Sequence, residues 1–225
     1  VDEEAPLEVP ELKYGEATIK GQVLDYQPGM PAVVRIIAFN PLVGYDGESE
    51  AKIEADGTFS YAMPVLGTMR TVVSYGEMGV NAEIFAAPGQ VSEVYLNIRE
   101  GARKRSKFHA ENASYGKLYY YQGPMENLVR EMPEANLLMT QHLGKSDTYD
   151  FGKKPLDLLK EYKQNEAVKI EKTREAVLNS PLGNATKAYL DVHISMQQMT
   201  GLLEAPNLLT GKYAMANREM EREAF

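Results

Sequence analysis

The sequence predicts an α+β fold, an N-terminal antiparallel β-sandwich followed by a C-terminal α-helical segment. Three observations carry this expectation. Up to about Arg99, short β-branched or alternating segments are separated at regular intervals by Pro-Gly, Asn-Pro and Asp-Gly turn chemistry, with no helical period between them. From Gly123-Pro124 to the last residue, Phe225, apolar residues instead recur at helical spacing among many charges. The acidic start, residues 1–15, fits neither pattern. The expected organisation is therefore a lead-in over 1–15, a β-sandwich domain over 16–122 and an α-helical domain over 123–225.

The lead-in sets Asp2, Glu3, Glu4, Glu8 and Glu11 against Lys13 alone, with Pro6 and Pro10 among them. Such a stretch reads as extended and solvated. Ala17 to Leu24 is the first strand, with Ile19 and Val23 on one face and Lys20 and Gln22 on the other. Pro28-Gly29 turns the chain into Ala32 to Phe39, an apolar β-branched run expected to be buried on both faces and ended by Asn40-Pro41. Asp56-Gly57, between Lys52-Ile53-Glu54 and Thr58 to Met63, predicts a hairpin, because glycine accepts the positive φ that such turns need. Met69 to Tyr75, Asn81 to Ala86 and, after Pro88-Gly89, Val91 to Ile98 complete the series. These make about six or seven strands, and a last one is expected around Tyr115, Tyr119, Tyr120 and Tyr121.

In the helical part, Pro124 stands where a first helical residue would leave its N–H unpaired in any case. Met125, Leu128, Val129 and Met132 form a short stripe that Pro133 is expected to end; a second short helix then covers Glu134 to Leu143, closed by Gly144. Pro155 to Asn179 reads as a long charged helix with a stripe of Leu156, Leu159, Tyr162, Ile170 and Val177. Asp157–Lys160, Glu166–Lys169 and Glu171–Arg174 are spaced for ion pairs along it. Ser180-Pro181 is expected to cap the next helix, whose inner face would be Leu182, Ala185, Ala188 or Tyr189, Val192, Met196, Met199 and Leu203. Pro206-Asn207 is expected to break it and start a last helix from Leu208 to about Glu223.

Composition excludes several functions. There are no cysteines, so no disulfide, no Cys-ligated metal cluster and no thiol nucleophile. The net charge is −8, and neither half has a basic excess, which argues against a nucleic-acid surface. No apolar run reaches the roughly 18–20 residues of a membrane span, so any membrane association is expected through an anchor outside this chain. No Gly-x-Gly-x-x-Gly, Walker loop, His-Glu-x-x-His or Gly-x-Ser-x-Gly occurs.

The remaining candidates are weak. His109, His142 and His193 lie in different elements, and Asp191 and His193, two apart on a helix, point away from each other. Glu219, Glu221 and Glu223 share that fault. Asp46-Gly47-Glu48-Ser49-Glu50 is acidic but lacks calcium-loop spacing. Gly101 to Lys107 is basic and expected to be a solvated linker. The tyrosine cluster suggests either an interdomain packing seam or a stacking platform for sugars. Met125, Met132, Met139, Met196, Met199, Met215 and Met220 are expected to fill the helical core, or to line a groove for a partner. No catalytic, cofactor-binding or metal-binding residue is assigned, and no enzymatic activity is expected of this chain.

Several short motifs together carry a family resemblance: Thr18-Ile-Lys-Gly-Gln-Val23, Asp56-Gly-Thr-Phe-Ser60, Ala87-Pro-Gly-Gln90, Tyr121-Gln-Gly-Pro124, Ser180-Pro181 and Ala205-Pro-Asn207. In this order the chain resembles the N-terminal region of TlpA-like thiol–disulfide oxidoreductases of the bacterial cell envelope. There a β-sandwich and a helical spacer precede a thioredoxin domain. The resemblance implies a periplasmic or cell-envelope location and a non-catalytic accessory role. The region would position the thioredoxin domain or recognise its client, through protein contact or homo-oligomerisation. That domain's Cys-x-x-Cys motif is absent here, so no catalytic residue carries over. The alternative is an extracellular glycan-binding module using the tyrosines.

Overall fold

A computed structural model describes residues 12–40, 45–76, 79–106, 116–143 and 149–223. Its architecture is α+β, strands first and helices after, as the alternation of patterns predicts. Two compact units divide between Arg130 and Glu131, inside a helix that begins in one and ends in the other.

The first unit is a sandwich of two four-stranded sheets among the described residues. The strands are β1 (Gly15–Leu24), β2 (Val33–Asn40), β3 (Tyr45–Lys52), β4 (Thr58–Val65), β5 (Met69–Tyr75), β6 (Val80–Ala86), β7 (Val91–Asn97) and β8 (Tyr119–Gln122). One sheet has the order β4-β1-β7-β8, the other β3-β2-β5-β6. All pairings are antiparallel except β1 with β7. Ile19, Val23, Phe59, Val94 and Leu96 from the first sheet share one core with Val34, Ile36, Val73, Tyr75 and Ile84 from the second. Strand period 2 does this directly, since every second residue faces the other sheet.

Several expectations change here. The acidic run Asp46–Glu50 lies in edge strand β3, paired to β2, with Arg35 Nε 3.5 Å from Glu48 Oε1. Charge on an unpaired edge discourages further strand addition, which explains a strand so poor in β-formers. β2 is buried on one face: Val34 and Ile36 are buried, while Val33 and Arg35 are exposed. The Asp56-Gly57 turn forms, with Gly57 at φ +85° and the Asp56 carboxylate accepting from the Thr58 N–H. Its flanks, however, go to opposite sheets after meeting at the Ile53–Phe59 bridge and through the Glu54 N–H, which donates to the Thr58 carbonyl at 2.8 Å. Most of the basic connector folds as helix α1 (Ile98–Arg105), with Asn97 Oδ1 accepting from the Glu100 N–H at its start. Lys107, Tyr115 and His109 lie outside the described residues, as does most of the lead-in.

The prolines do not stop the helices. α2 runs Glu126–Leu143 through Pro133, and α4 runs Asn184–Glu223 through Pro206. Both prolines are exposed. Pro133 has buried Val129 before it and Ala135 after; Pro206 lies between buried Ala205 and Leu209. A missing backbone bond on the solvent side can be made up by water, while tertiary burial on both sides holds the helical path. Pro124 precedes the first turn of α2 rather than lying in it, and Met125 accepts the first intrahelical bond, from the Val129 N–H. α3 (Pro155–Leu178) carries the expected ion pairs, at 3.9 Å for Asp157–Lys160, 2.9 Å for Glu166–Lys169 and 3.2 Å for Glu171–Arg174. Its buried face begins at Leu158 and not at Leu156, which is exposed.

Ser180-Pro181 closes α3 rather than capping α4: the Ser180 hydroxyl donates to the Val177 carbonyl, and α4 begins at Asn184. The turn is tied instead by Glu131, whose Oε2 accepts from the Gly183 N–H at 3.0 Å. Ala135, Met139, Ile170, Val177, Leu190 and Ile194 form one helical core; Leu158, Ala205 and Leu209 form another.

Candidate functional site

The tyrosine cluster splits by strand parity. On β8, Tyr119 and Tyr121 face inward and Tyr120 faces out. The Tyr121 hydroxyl lies 2.8 Å from both the Phe85 and the Pro124 carbonyl oxygens, and Tyr119 donates to the Glu83 carbonyl at 3.3 Å. Ser92 also donates to Phe85 O, at 2.7 Å. Glu83 and Phe85 belong to β6, the edge strand of the other sheet, so these hydroxyls satisfy edge carbonyls that no further strand reaches among the described residues. The seam they make is between the two sheets of the sandwich. Burial pushes the Tyr121 phenol up to about 12, against the smaller opposing effect of its hydrogen bonds. Tyr119 is raised in the same way.

Tyr120, 49% exposed, is opposite Tyr95, 38% exposed, on β7. Register extends this pair into a row, Thr58–Gln22–Tyr95–Tyr120, across all four strands of the first sheet. The next row is Ser60–Lys20–Glu93. Both rows lie on the outer face, along a shallow open groove of about 550 Å³ that also involves Lys52 and Glu54 and stops short of Tyr120. At its centre Lys20 Nζ is 2.7 Å from Glu93 Oε1. Their hydrogen bond and charge attraction hold the lysine above and the carboxyl below their ordinary ranges.

The second candidate surface is on α4. Leu190, Ile194, Ala205 and Leu209 are the buried face of this helix. Val192, Met196, Met199 and Leu203 are 56%, 60%, 64% and 74% exposed. At 100° per residue these four lie about opposite Ile194 and Leu190. The apolar stripe legible in the sequence is therefore buried at Leu182, half-buried at Ala185 and at Tyr189, which packs on the helical core, and points to solvent from Val192 to Leu203. Met215 is exposed too, so core filling holds for Met132 and Met139 but not for Met196, Met199 or Met215. The seam Leu182, Ala185, Tyr189, Val192, Met196, Met199, Leu203 alternates three- and four-residue steps, the spacing by which one helix packs along another.

The histidines and acids stay dispersed. Asp191 turns to Arg174 of α3, with Nε and Oδ1 at 2.9 Å, and the same guanidinium donates to Ser195 Oγ. His193 is stacked on Tyr189, ring centroids 6.3 Å apart, beside Gln197. His142 ends α2. The side chains of Asp46, Glu219, Glu221, Glu223 and Met220 lie outside the described residues. Among the described residues no three His, Asp or Glu side chains are grouped to hold a metal ion, and no helix is long and apolar enough to cross a membrane. Sequence reasoning missed Tyr95 as the partner of Tyr120; the only signal was its outward phase between Val94 and Leu96. No protein-family model, curated protein or solved structure matches this chain.

Proposed function

We propose that this chain is a non-catalytic interaction region of a cell-envelope protein of the TlpA-like type, and that α4 makes the contact. The observation that carries this reading is the solvent-facing stripe Val192, Met196, Met199 and Leu203. Exposed apolar strips of several hundred Å² commonly mark protein contacts. Methionine suits such a surface, because its unbranched thioether repacks against different neighbours. The residues flanking the stripe, Ser195 and Thr200, are uncharged, and the guanidinium that reaches Ser195 is paired with Asp191. The seam is self-similar, and its first occupant is the same helix of a second copy. The order of sandwich and helices agrees with what the TlpA-like resemblance implies for a region that positions another domain.

The test is sedimentation of the full chain over a wide concentration range. A dimer is expected, and Met196→Glu with Met199→Glu is expected to return it to monomer while leaving the circular dichroism spectrum unchanged. A monomer at every concentration, or a dimer indifferent to both substitutions, overturns the contact. Reading the coding sequence beyond residue 225 tests the family part separately. A Trp-Cys-x-x-Cys segment there supports it, and an immediate stop codon overturns it.

A further inference from the structure

The outer face of the sheet β4-β1-β7-β8 has a chemistry that the helical contact does not use. Every outward side chain of its two central rows has hydrogen-bonding capacity, and the two at one end are aromatic rings. Gln22 is held in place, its Nε2 donating to the Asp56 carbonyl at 3.0 Å. The Tyr95 hydroxyl lies 3.4 Å from Glu93 Oε2. The groove volume of about 550 Å³ falls within the roughly 300–1,000 Å³ usual for small-ligand sites.

Charge decides the ligand class. The groove carries two cations and two anions, Lys20 with Glu93 at 2.7 Å and Lys52 with Glu54 at 3.9 Å. Each charge lies beside its opposite, so the surface has no field to draw in a phosphate or a polyanion. What it offers is a set of alternating donors and acceptors next to the Tyr95 ring and, beyond it, the Tyr120 ring, with the Lys117 ammonium 5.9 Å from the latter's centre. Vicinal hydroxyls match such a set by donating to a carboxylate and accepting from an ammonium, and the C–H face of a pyranose packs on an aromatic ring.

We propose that this groove binds a neutral oligosaccharide, with one ring on Tyr95, the next reaching past the end of the groove to Tyr120, and hydroxyls on Lys20, Glu93, Gln22 and Ser60. The site is thus on the tyrosine pair made by two strands, not on the consecutive tyrosines of β8. It lies in the sandwich and does not depend on the α4 contact.

The experiment is an array of neutral and acidic oligosaccharides probed with the full chain. Titration of the retained neutral glycans then follows tyrosine fluorescence, which tryptophan cannot mask because the chain contains none. At least one neutral oligosaccharide is expected to bind, and Tyr95→Ala, Tyr120→Ala and Glu93→Gln are each expected to weaken it about tenfold. Met196→Glu is expected to leave it unchanged, so failure of this site and failure of the α4 contact are told apart. Absence of any neutral ligand, binding of acidic glycans alone, or full affinity in a folded Tyr95→Ala/Tyr120→Ala variant overturns the proposal. Should the variants not fold, amide shifts of the native chain decide: changes on β1, β4 and β7 support the groove, and changes confined elsewhere overturn it.

Discussion

The Tyr121 hydroxyl lies 2.8 Å from the Phe85 carbonyl oxygen, joining the last strand of one sheet to the edge strand of the other. Replacing Tyr121 with Phe removes the donor and keeps the ring. A loss of about 1 kcal/mol is expected, measured by denaturant unfolding, because Ser92 still serves Phe85 O.

Burial of the same phenol makes stability depend on alkaline pH. Below about pH 10, the ordinary value for tyrosine, the phenol is neutral in both folded and unfolded chains and its full contribution is present. Between there and about 12, the raised value of Tyr121, the unfolded chain ionises and the folded one resists. The unfolded state then binds fewer protons, so stability falls as pH rises through this window. Unfolding followed against pH is expected to show this decline, and Tyr121→Phe is expected to flatten part of it.

Ile194 and Met196 face opposite ways on α4. Ile194→Ala is expected to cost about 2–5 kcal/mol by leaving a cavity. Met196→Ala is expected to stay within about 0.5 kcal/mol at monomer concentrations. Equal costs at the two positions would show that the helix is rotated from the orientation described.

Gly21 lies in β1 between two pairing strands, and a Cβ there would fall on the Val94 carbonyl oxygen, with the Phe59 ring 3.0 Å away. No flexible side chain can yield on the backbone side. Gly21→Ala is expected to destabilise the sandwich by more than about 2 kcal/mol or to prevent its folding, read by thermal melting. Gly47→Ala, whose added Cβ meets nothing within 4 Å, is the control.

Pro206→Ala restores an N–H inside a continuous helix. Since Ala205 and Leu209 already hold the helical path, the expected effect is a gain of about 1–3 kcal/mol with unchanged helix content. A loss would mean that the proline sets a bend on which the packing depends.

Much of the architecture is legible from local pattern. Met69 to Tyr75 is a strand at the predicted bounds, and α3 begins at Pro155 as the proline signal implies. These succeed because alternation and capping act through neighbours in the chain. β3 was hidden because an edge strand needs little apolar content, and its charges read as a loop. Pro133 and Pro206 misled for the converse reason, since a local helix breaker yields when buried residues on either side fix the path.

By itself, the sequence determined that strands come first and helices after, the absence of thiol chemistry and the existence of an apolar stripe from Leu182 to Leu203. Periodicity shows that a stripe exists but not which face the fold will cover. Only the tertiary structure decided that Leu190 and Ile194 are buried while Met196 and Met199 face solvent. It likewise separated Tyr119 and Tyr121 from Tyr120 and set Tyr95 beside the latter. Both outcomes depend on pairing and packing between residues distant in sequence, which no local pattern encodes.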